Sequence, residues 1–366
     1  MKNLLITGGA GFIGANFVHF CKTHRKDINI VVFDALTYAG NRQSISSFED
    51  NPRFEFIHGD ICDAPLVHSI MRKHDIDTIV HFAAESHVDR SILESDAFIH
   101  SNIIGTHTLL KCAREYWLDE NTHHDDHRFH HISTDEVFGS LDLDEPSFNE
   151  QTPYNPSSPY SASKAASDHL VRAWYRTYNL KVTISNCSNN YGPYQYPEKL
   201  IPLTILNILH GKQIPVYGKG ENVRDWLYVT DHCRGIDLIL QNGMSGQTYN
   251  IGGLSEINNL ELVNLVCSTV DKLFNQTSAL VDKYPNCPAA KGGQCNTLIN
   301  FVKDRPGHDF RYAMDIRKIN DALGFEPKES LRSGIDKTIR WYLDNEQWWR
   351  NVIDNSYEEW LQVHYG

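Results

Sequence analysis

Two groups of residues in the sequence could carry acid–base chemistry, and Tyr160 with Lys164 form the first. They lie four positions apart in the segment SPYSASK at residues 158–164, where Pro159 suits the first turn of a helix. Both side chains should therefore share one helix face. A neighbouring ammonium would favour the tyrosinate and lower the pKa of the phenol. Such a phenolate could take a proton from a sugar hydroxyl while hydride leaves for a nicotinamide, although Tyr-x-x-x-Lys by itself is also common in ordinary helices.

The second group is Thr134-Asp135-Glu136, which follows an apolar segment at residues 129–132. If that segment is a strand of an open parallel sheet, the tripeptide stands at the carboxyl end of the strand, where ligands bind. Two carboxyl groups close together in a dry site raise the pKa of one of them, so one can donate a proton while the other accepts one. Beside a ketone at C4 of a sugar, such a pair could remove the C5 proton and expel the C6 hydroxyl as water. An acidic turn without a function is the competing interpretation.

A glycine-rich loop at residues 6–14, with the sequence ITGGAGFIG, could hold the nicotinamide cofactor. Gly8, Gly11 and Gly14 permit a tight turn between a first strand and a first helix, and they let a pyrophosphate approach the backbone closely. The free N–H groups at the start of that helix would face the phosphates. The loop is informative because a predicted strand precedes it and a predicted helix follows it.

Acidic residues after the second and third predicted strands would contact the rest of the cofactor. Asp34 lies twenty positions after Gly14, where a carboxylate can bind a ribose 2′-hydroxyl and would repel a 2′-phosphate. This favours NAD over NADP. Asp60-Ile61 is placed to meet the adenine, although both aspartates could also be simple turn residues.

The elements that must position these groups follow from an alternation of apolar and amphipathic segments. Buried strands are predicted at residues 4–6, 30–33, 54–57, 78–82, 129–132 and 181–187. Helices are predicted at residues 12–24, 65–74, 97–117, 161–178, 259–274 and 331–343. The alternation predicts an α/β fold with a Rossmann-type doubly wound parallel sheet and a smaller C-terminal substrate-binding domain. We expect residues 1–188 to form the NAD-binding domain, with 225–251 returning to it, and 189–224 with 252–366 to form the substrate-binding domain.

Composition excludes several classes of protein. The formal net charge of −12 is unsuited to a non-specific nucleic-acid binder, which needs a basic field. Eight cysteines without a C-x-x-C spacing indicate reduced, structural thiols. The chain shows neither a secretory signal nor an apolar stretch long enough to span a membrane, so we expect a cytoplasmic protein without a membrane partner.

Two segments fit none of these functions. Residues 282–297 have few periodic apolar positions and should form a surface loop. Histidines cluster at His123, His124, His127, His130 and His131. They could suggest a metal, but three lie in a polar segment and two on a predicted strand, so a solvated loop is favoured and no metal is expected.

Nearly the whole sequence resembles the dTDP-glucose 4,6-dehydratases, a family of the extended short-chain dehydrogenase/reductase superfamily. The shared motifs are TGGAGFIG at 7–14, DALTYAGN at 34–41, AESHVDRS at 84–91, STDE at 133–136, YSASK at 160–164, NNYGPY at 189–194, PEKLIP at 197–202, RDWLYV at 224–229 and DRPGHD at 304–309. The glycine loop and YSASK are common to the superfamily. The segments 84–91, 134–136 and 304–309 are more specific to the dehydratases.

The resemblance implies a role for each candidate catalytic residue. Tyr160 would take the proton of the C4 hydroxyl, helped by Lys164 and Thr134, while hydride passes to NAD. Glu136 would then remove the C5 proton and Asp135 would protonate the departing C6 hydroxyl. Hydride would return to C6, so NAD would stay bound through the cycle.

The resemblance also implies the binding residues. Cofactor contacts are expected from Gly8, Gly11, Phe12, Ile13, Gly14, Asp34, Ala35, Leu36, Thr37, Asp60, Ile61, Ala83, Ala84, Ser86, Ser101, Tyr160, Lys164 and Asn190. Ser101 stands where the family often has threonine, and it keeps the hydroxyl. Substrate contacts are expected from Ser86, Thr134, Glu136, Asn189, Lys199, Leu200, Pro215, Tyr217, Arg224, Asn259, Asp304, Arg305 and His308. Lys199, Arg224 and Arg305 would supply local positive charge for the diphosphate of dTDP-glucose.

The family resemblance further implies a homodimer formed through the helices at 97–117 and 161–178. Two other interpretations share the glycine loop. A nucleotide-sugar 4-epimerase or UDP-glucuronate decarboxylase would also use Tyr160 and Lys164, but neither needs an acid and a base beside Thr134. A non-catalytic, redox-sensing NAD-binding protein would not need these residues together. A preference for thymine over uracil does not follow from the residue types.

Overall fold

The structure is a computed structural model that describes residues 1–120 and 126–353 of the chain. Its strands are β1 (Asn3–Thr7), β2 (Asn29–Asp34), β3 (Phe54–His58), β4 (Thr78–His81), β5 (Arg128–Thr134), β6 (Val182–Cys187), β7 (Asn189–Tyr191), β8 (Ile214–Tyr217), β9 (Val223–Tyr228), β10 (Thr248–Ile251), β11 (Glu256–Asn258) and β12 (Ile299–Val302). All six strands predicted from the apolar segments are present.

The helices also follow the amphipathic segments. They are α1 (Phe12–His24), α2 (Ala64–Lys73), α3 (Val88–Leu93), α4 (Asp96–Phe98), α5 (Thr106–Arg114), α6 (Pro159–Tyr178), α7 (Leu200–His210), α8 (Val229–Asn242), α9 (Asn259–Gln276), α10 (Ser278–Lys283), α11 (Arg317–Leu323), α12 (Leu331–Asp344) and α13 (Glu346–Val352). The helix predicted at 97–117 includes two wider π-helical segments. Ile99–Gly105 joins α4 to α5, and Glu115–Asp119 follows α5. Short 3₁₀ turns occur at Arg42–Phe48, Asp135–Phe138, Pro288–Lys291 and Cys295–Leu298.

Seven parallel strands form the central sheet in the order β10-β6-β5-β4-β1-β2-β3. The strand order reverses between β1 and β4, so the carboxyl ends of these two strands open a crevice at the edge of the sheet. The predicted Rossmann-type doubly wound fold is confirmed. Apolar residues from α1 and α8 cover one face of this sheet, and apolar residues from α2, α5 and α6 cover the other.

The stretch 225–251 divides between two sheets. Its end, β10, pairs with β6 in the central sheet, and α8 packs against α1, as expected of a returning segment. Its start belongs to β9, which pairs instead with β7 and β11 in a separate three-stranded sheet. A second apolar core is built mainly from α7, α9 and α12, whereas residues 312–325 pack into the core of the central sheet. The division into two domains stays a prediction.

The segment 282–297 lies mostly at the surface, as predicted, but it is not an irregular loop. This segment begins in α10 and contains two 3₁₀ turns, and Cys287 and Cys295 are fully buried with their Sγ atoms 3.8 Å apart. Both thiols belong to the second apolar core, which holds the segment against α9. All eight cysteines are free thiols, as expected. Among the described helices, none is long and apolar enough to cross a membrane.

The prediction of a solvated loop is wrong at His127, whereas His130 and His131 lie on a strand as predicted. His127 is buried and stacks on Trp117, with ring centroids 4.9 Å apart. His130 and His131 lie on β5 and are fully buried. His123 and His124 lie outside the described residues.

Candidate active site

A cavity of about 330 Å³ opens at the carboxyl ends of the central strands. Its walls come from the loops that follow β1, β2, β3, β4, β5 and β6, together with the first turns of α6. The cavity therefore lies at the point where the strand order reverses, which is the binding position typical of open α/β sheets.

The glycine loop closes one side of this cavity. Gly8 has a φ of +70°, and an added Cβ would lie 2.5 Å from the backbone nitrogen of Ala83 after β4. A Cβ on Gly14 would lie 2.2 Å from the carbonyl oxygen of Gly8. Only glycine fits these two positions without a backbone shift, so the loop can turn tightly between β1 and α1.

Asp34 ties the loop to the end of β2. Its carboxylate accepts hydrogen bonds from the N–H groups of Ala10 and Leu36, at 2.9 and 2.8 Å. Burial raises the pKa of Asp34, and the two N–H donors oppose that rise. A carboxylate has further lone pairs beyond these two bonds, so it can still accept a hydrogen bond from a ligand hydroxyl.

Tyr160 and Lys164 lie on the first turns of α6, as predicted. The helix begins with a capping box between Ser158 and Ser161 and with Pro159 in its first turn. Both side chains line the cavity and both are buried. The Lys164 ammonium donates a hydrogen bond to the carbonyl oxygen of Ile132 on β5 at 2.8 Å, which fixes it at the end of the sheet.

The expected lowering of the Tyr160 pKa is not found. Burial, followed by the charges of Glu136 and Cys187, raises the pKa of the phenol well above its usual value, and a hydrogen bond with Thr134 opposes this. The ammonium of Lys164 is occupied by a backbone carbonyl, and its own pKa is lowered by burial to about 8. The spacing of the two residues places them on one helix face, but it does not show how strongly burial desolvates them.

Asp135 and Glu136 open a 3₁₀ turn directly after β5. Thr134 caps this turn by accepting a hydrogen bond from the Glu136 N–H, and its hydroxyl lies 3.2 Å from Asp135 Oδ1. Asp135 is 2% exposed. Burial and then the charge of Glu136 raise the pKa of Asp135 well above its usual value, so Asp135 is the carboxyl of the pair better suited to hold a proton.

Glu136 stands in a more cationic environment than Asp135. Burial raises its pKa as well, but the charges of Arg305, Arg224 and Lys199 oppose that rise. Because these three cations favour the ionised form, Glu136 is the carboxyl of the pair better suited to accept a proton.

Asp168 is a functional candidate that the sequence reasoning missed. Its Oδ2 accepts hydrogen bonds from Tyr154 at 2.7 Å and Ser133 at 2.9 Å, and a His131 ring nitrogen lies 3.3 Å from its Oδ1. Burial opposes its ionisation, but His131, Lys164 and Tyr154 together lower its pKa. The carboxylate in turn favours the charged form of Lys164. Its position, four residues after Lys164 on α6, is the signal that could have revealed it.

The cavity collects most of the predicted site residues. All five predicted catalytic residues line it, as do all predicted cofactor-binding residues except Leu36. Of the predicted substrate-binding residues, the cavity is lined by Ser86, Thr134, Glu136, Asn189 and Lys199, but not by Leu200, Pro215, Tyr217, Arg224, Asn259, Asp304, Arg305 and His308.

Several of the residues outside the lining form a polar group next to the carboxyl pair. Arg305 pairs with Asp89 at 3.0 Å, and Tyr217 donates a hydrogen bond to the same carboxylate at 3.3 Å. The guanidinium of Arg224 lies 4.2 Å from the ring centroid of Tyr312. Asp304 accepts a hydrogen bond from His308 at 2.6 Å. Leu36 has a φ of +50° and packs against the core of the central sheet. Pro215 lies on β8, and Leu200 and Asn259 begin α7 and α9.

The fold and the site together define an extended short-chain dehydrogenase/reductase. A family model described as GDP-mannose 4,6 dehydratase matches residues 5–338, and the chain belongs to this family. It is 49% identical over 372 residues to dTDP-glucose 4,6-dehydratase 1 of Escherichia coli K12, covering 99% of this chain and 98% of that one. It is 50% identical over 358 residues to dTDP-glucose 4,6-dehydratase of Neisseria meningitidis, with 98% of each chain covered.

Solved structures resemble the whole described fold. The dTDP-glucose 4,6-dehydratase of Bacillus anthracis in complex with NAD has a TM-score of 0.82 and 42% identity, covering 96% of this chain and 100% of that one. The Streptomyces venezuelae enzyme with NAD and dTDP bound has a TM-score of 0.82 and 45% identity, with the same coverage. UDP-glucose 4-epimerase of Thermotoga maritima has a TM-score of 0.78 but only 26% identity, covering 94% and 100%.

The opposite pKa shifts of Asp135 and Asp168 predict opposite effects on stability. The raised pKa of Asp135 makes the folded state lose stability as pH rises above about 3.9, the unfolded value. Asp135→Asn should therefore stabilise the protein at neutral pH by about 1–3 kcal/mol. The lowered pKa of Asp168 contributes stability above the unfolded value, so Asp168→Asn should destabilise at neutral pH by about 3–5 kcal/mol.

Urea unfolding at neutral pH and at pH 4 measures both effects. The effect of Asp135→Asn should shrink at pH 4. The effect of Asp168→Asn should persist there, because stability from a lowered pKa is lost only as pH falls below about 3.9, the unfolded value. Asp142→Asn, at an exposed position, should change little at either pH. Equal destabilisation by the Asp135 and Asp168 substitutions would contradict the pKa assignment.

Proposed function

We propose that this chain is an NAD-dependent dTDP-glucose 4,6-dehydratase, a hydro-lyase that converts dTDP-glucose to dTDP-4-keto-6-deoxyglucose and water. The observation that carries the proposal is the presence of a second acid–base pair, Asp135 and Glu136, in the same cavity as Tyr160 and Lys164. The near 50% identity to full-length dTDP-glucose 4,6-dehydratases supports the same reaction. The family model names a GDP-sugar, so the base of the nucleotide rests on these relatives.

The residues around the glycine loop fit NAD. A Cβ added to Gly11 would meet only the Gly8 carbonyl oxygen, at 3.3 Å, so the loop leaves open space beside the start of α1 for a pyrophosphate. Asp34 at the end of β2 would bind the ribose hydroxyls and Asp60 the adenine. When bound, NAD supplies a hydride acceptor at C4 of the sugar and returns the hydride to C6.

Tyr160, Lys164 and Thr134 would perform the first proton transfer. Tyr160 takes the proton of the C4 hydroxyl, and Thr134 hydrogen-bonds to the phenol and orients it. Lys164 would assist this transfer, as the family resemblance implies, and the charge of Asp168 favours the protonated form of Lys164. Asp168 touches none of the reacting atoms, so its role is one of positioning.

Glu136 and Asp135 would then eliminate water from the 4-keto sugar. The C5 hydrogen is acidic because the carbonyl is adjacent, and Glu136 accepts that proton. Asp135 donates its proton to the C6 hydroxyl, which leaves as water. The assignment follows the asymmetry of the pair: Asp135 has its pKa raised well above the usual value, whereas three cations oppose the rise at Glu136.

The substrate would bind on the β7, α7 and 304–308 side of the cavity. Lys199, Arg224 and Arg305 lie around the carboxyl pair and would neutralise the diphosphate. Since Arg305 is paired with Asp89, the substrate diphosphate would compete with a carboxylate for this guanidinium. The other expected contacts are Ser86, Asn189, Leu200, Pro215, Tyr217, Asn259, Asp304 and His308.

Isotope transfer tests the reaction directly. The protein with its bound cofactor should convert dTDP-glucose carrying deuterium at C4 into a 4-keto-6-deoxy product with deuterium at C6, without added reductant. UDP-glucose and GDP-mannose, tested in parallel, should turn over more slowly. Failure to form this product from all three substrates would overturn the proposal, whereas epimerisation or decarboxylation of a UDP-sugar would favour the alternative enzymes.

Two variants separate the steps of this assay. Tyr160→Phe should prevent C4 oxidation, so a single turnover should produce no reduced cofactor. Glu136→Gln should still reduce the cofactor but should release no water. Normal turnover by Glu136→Gln would exclude it as the base, and unchanged cofactor reduction by Tyr160→Phe would exclude the phenolate.

We also propose a cytoplasmic homodimer. Exposed apolar side chains at Ile99 and Ile104 lie within the predicted dimer helix at 97–117, and Ile92 and Leu93 lie just before it on α3; all four are 41–69% exposed. Sedimentation equilibrium should give twice the 41.9 kDa chain mass, and Ile99→Arg with Ile104→Arg should halve it. Phe301→Arg, at an exposed position on β12, is the matched control. A monomeric unsubstituted protein would contradict the proposal.

A further inference from the structure

Three potential metal ligands of different chemical types meet at the adenine end of the cavity. Asp60 and Cys62 follow β3, and His100 lies in the π-helical segment after α4. One ligand atom from each side chain lies within 4.8 Å of the other two. These residues were not among the candidate ligands at 123–131, where no metal was expected.

The separation of Cys62 and His100 is close to that of two ligands on one ion, and Asp60 lies within 4.8 Å of both. Cys62 Sγ lies 3.6 Å from His100 Nδ1. A tetrahedral Zn²⁺ with Zn–S of about 2.3 Å and Zn–N of about 2.0 Å separates its sulfur and nitrogen ligands by about 3.5 Å. Asp60 Oδ1 accepts a hydrogen bond from the Cys62 N–H at 2.8 Å, which holds the carboxylate beside the thiol.

The backbone around the ligands is closely packed. A Cβ added to Gly105 would lie 2.3 Å from Ile61 Cδ1 and 3.6 Å from Cys62 Sγ, so the loop after β3 rests directly on the π-helical segment. π-Helical turns are rare in proteins and occur frequently at functional sites. The ligands are therefore brought together by two packed segments and not by flexible side chains alone.

We propose that Asp60, Cys62 and His100 bind one Zn²⁺ ion, with water as the fourth ligand. A thiolate with an imidazole selects a borderline ion such as Zn²⁺ over Mg²⁺ or Ca²⁺, which prefer oxygen ligands. Three protein ligands with one open position are sufficient for a tetrahedral zinc site. Binding releases the thiol proton of Cys62 to solvent, and no oxidant or reductant is required.

The position of the site links it to cofactor retention. Asp60 and Ser101, the neighbour of His100, both line the cofactor cavity. An ion between the two segments would hold them together at the adenine end, and it would draw the Asp60 carboxylate towards the metal. The site is thus separate from Tyr160 and the carboxyl pair, and it shares Asp60 with the proposed cofactor site.

Co²⁺ is the probe for this site, since it replaces Zn²⁺ and absorbs light. Titration of the holoenzyme with Co²⁺ should produce one equivalent of a near-ultraviolet thiolate charge-transfer band with the visible bands of four-coordinate Co²⁺. One equivalent of Zn²⁺ should remove both. Absence of the charge-transfer band in the unsubstituted holoenzyme would overturn the proposal.

Variants assign the ligands in the same titration. Cys62→Ser should abolish the charge-transfer band, and His100→Gln should weaken Co²⁺ binding at least tenfold. His24→Gln, which removes an exposed histidine on α1, is the control and should bind Co²⁺ like the unsubstituted protein. A band that survives in Cys62→Ser would exclude Cys62 as a ligand and the site with it. The readout is independent of catalysis, so a failure here leaves the dehydratase proposal untouched.

Discussion

The burial of Asp135 against Glu136 at the end of β5 is the interaction on which the site depends. In water both carboxyl groups would ionise, and neither could act as a proton donor at neutral pH. In the cavity, burial and the charge of Glu136 raise the pKa of Asp135, while Arg224, Arg305 and Lys199 favour the charged form of Glu136. In the proposed mechanism, one dipeptide would thereby provide both an acid and a base for the elimination.

The rest of the structure maintains this difference in environment between Asp135 and Glu136. The parallel sheet places the end of β5 beside the crevice at the reversal of strand order, and Thr134 caps the turn that presents the two carboxyl groups. A second buried charge pair lies behind it, where Asp168 offsets the buried ammonium of Lys164. Buried charges are costly without partners, so Asp168 explains how Lys164 can remain in a desolvated site.

The sequence predicts the elements whose local signals are strong. β1, α1 and the glycine loop follow from apolar periodicity and from backbone positions that only glycine fits, and α6 follows from its proline and its capping residues. The segment 282–297 could not be predicted in the same way. Its few apolar residues, Cys287 and Cys295 among them, are buried by tertiary packing against α9.

The candidate site likewise depends on tertiary contacts that the sequence alone does not predict. Sequence motifs identify residues that could perform a reaction, and the five predicted catalytic residues do share one cavity. Motif spacing cannot report desolvation, which is why the phenol pKa of Tyr160 was expected to fall and instead rises. Nor can it report partners that are distant in the chain, such as Asp89 for Arg305. The charge balance inside the site depends on tertiary contacts between side chains, which motif spacing does not contain.

Infrared difference spectroscopy of the holoenzyme at neutral pH tests the central claim most directly. A protonated carboxyl group absorbs separately from a carboxylate, so the spectrum reports which residue keeps a proton. The band of a protonated carboxyl group should disappear in Asp135→Asn and should persist in Glu136→Gln. A spectrum in which Asp135→Asn leaves this band unchanged, or in which Glu136→Gln alone removes it, would contradict the account.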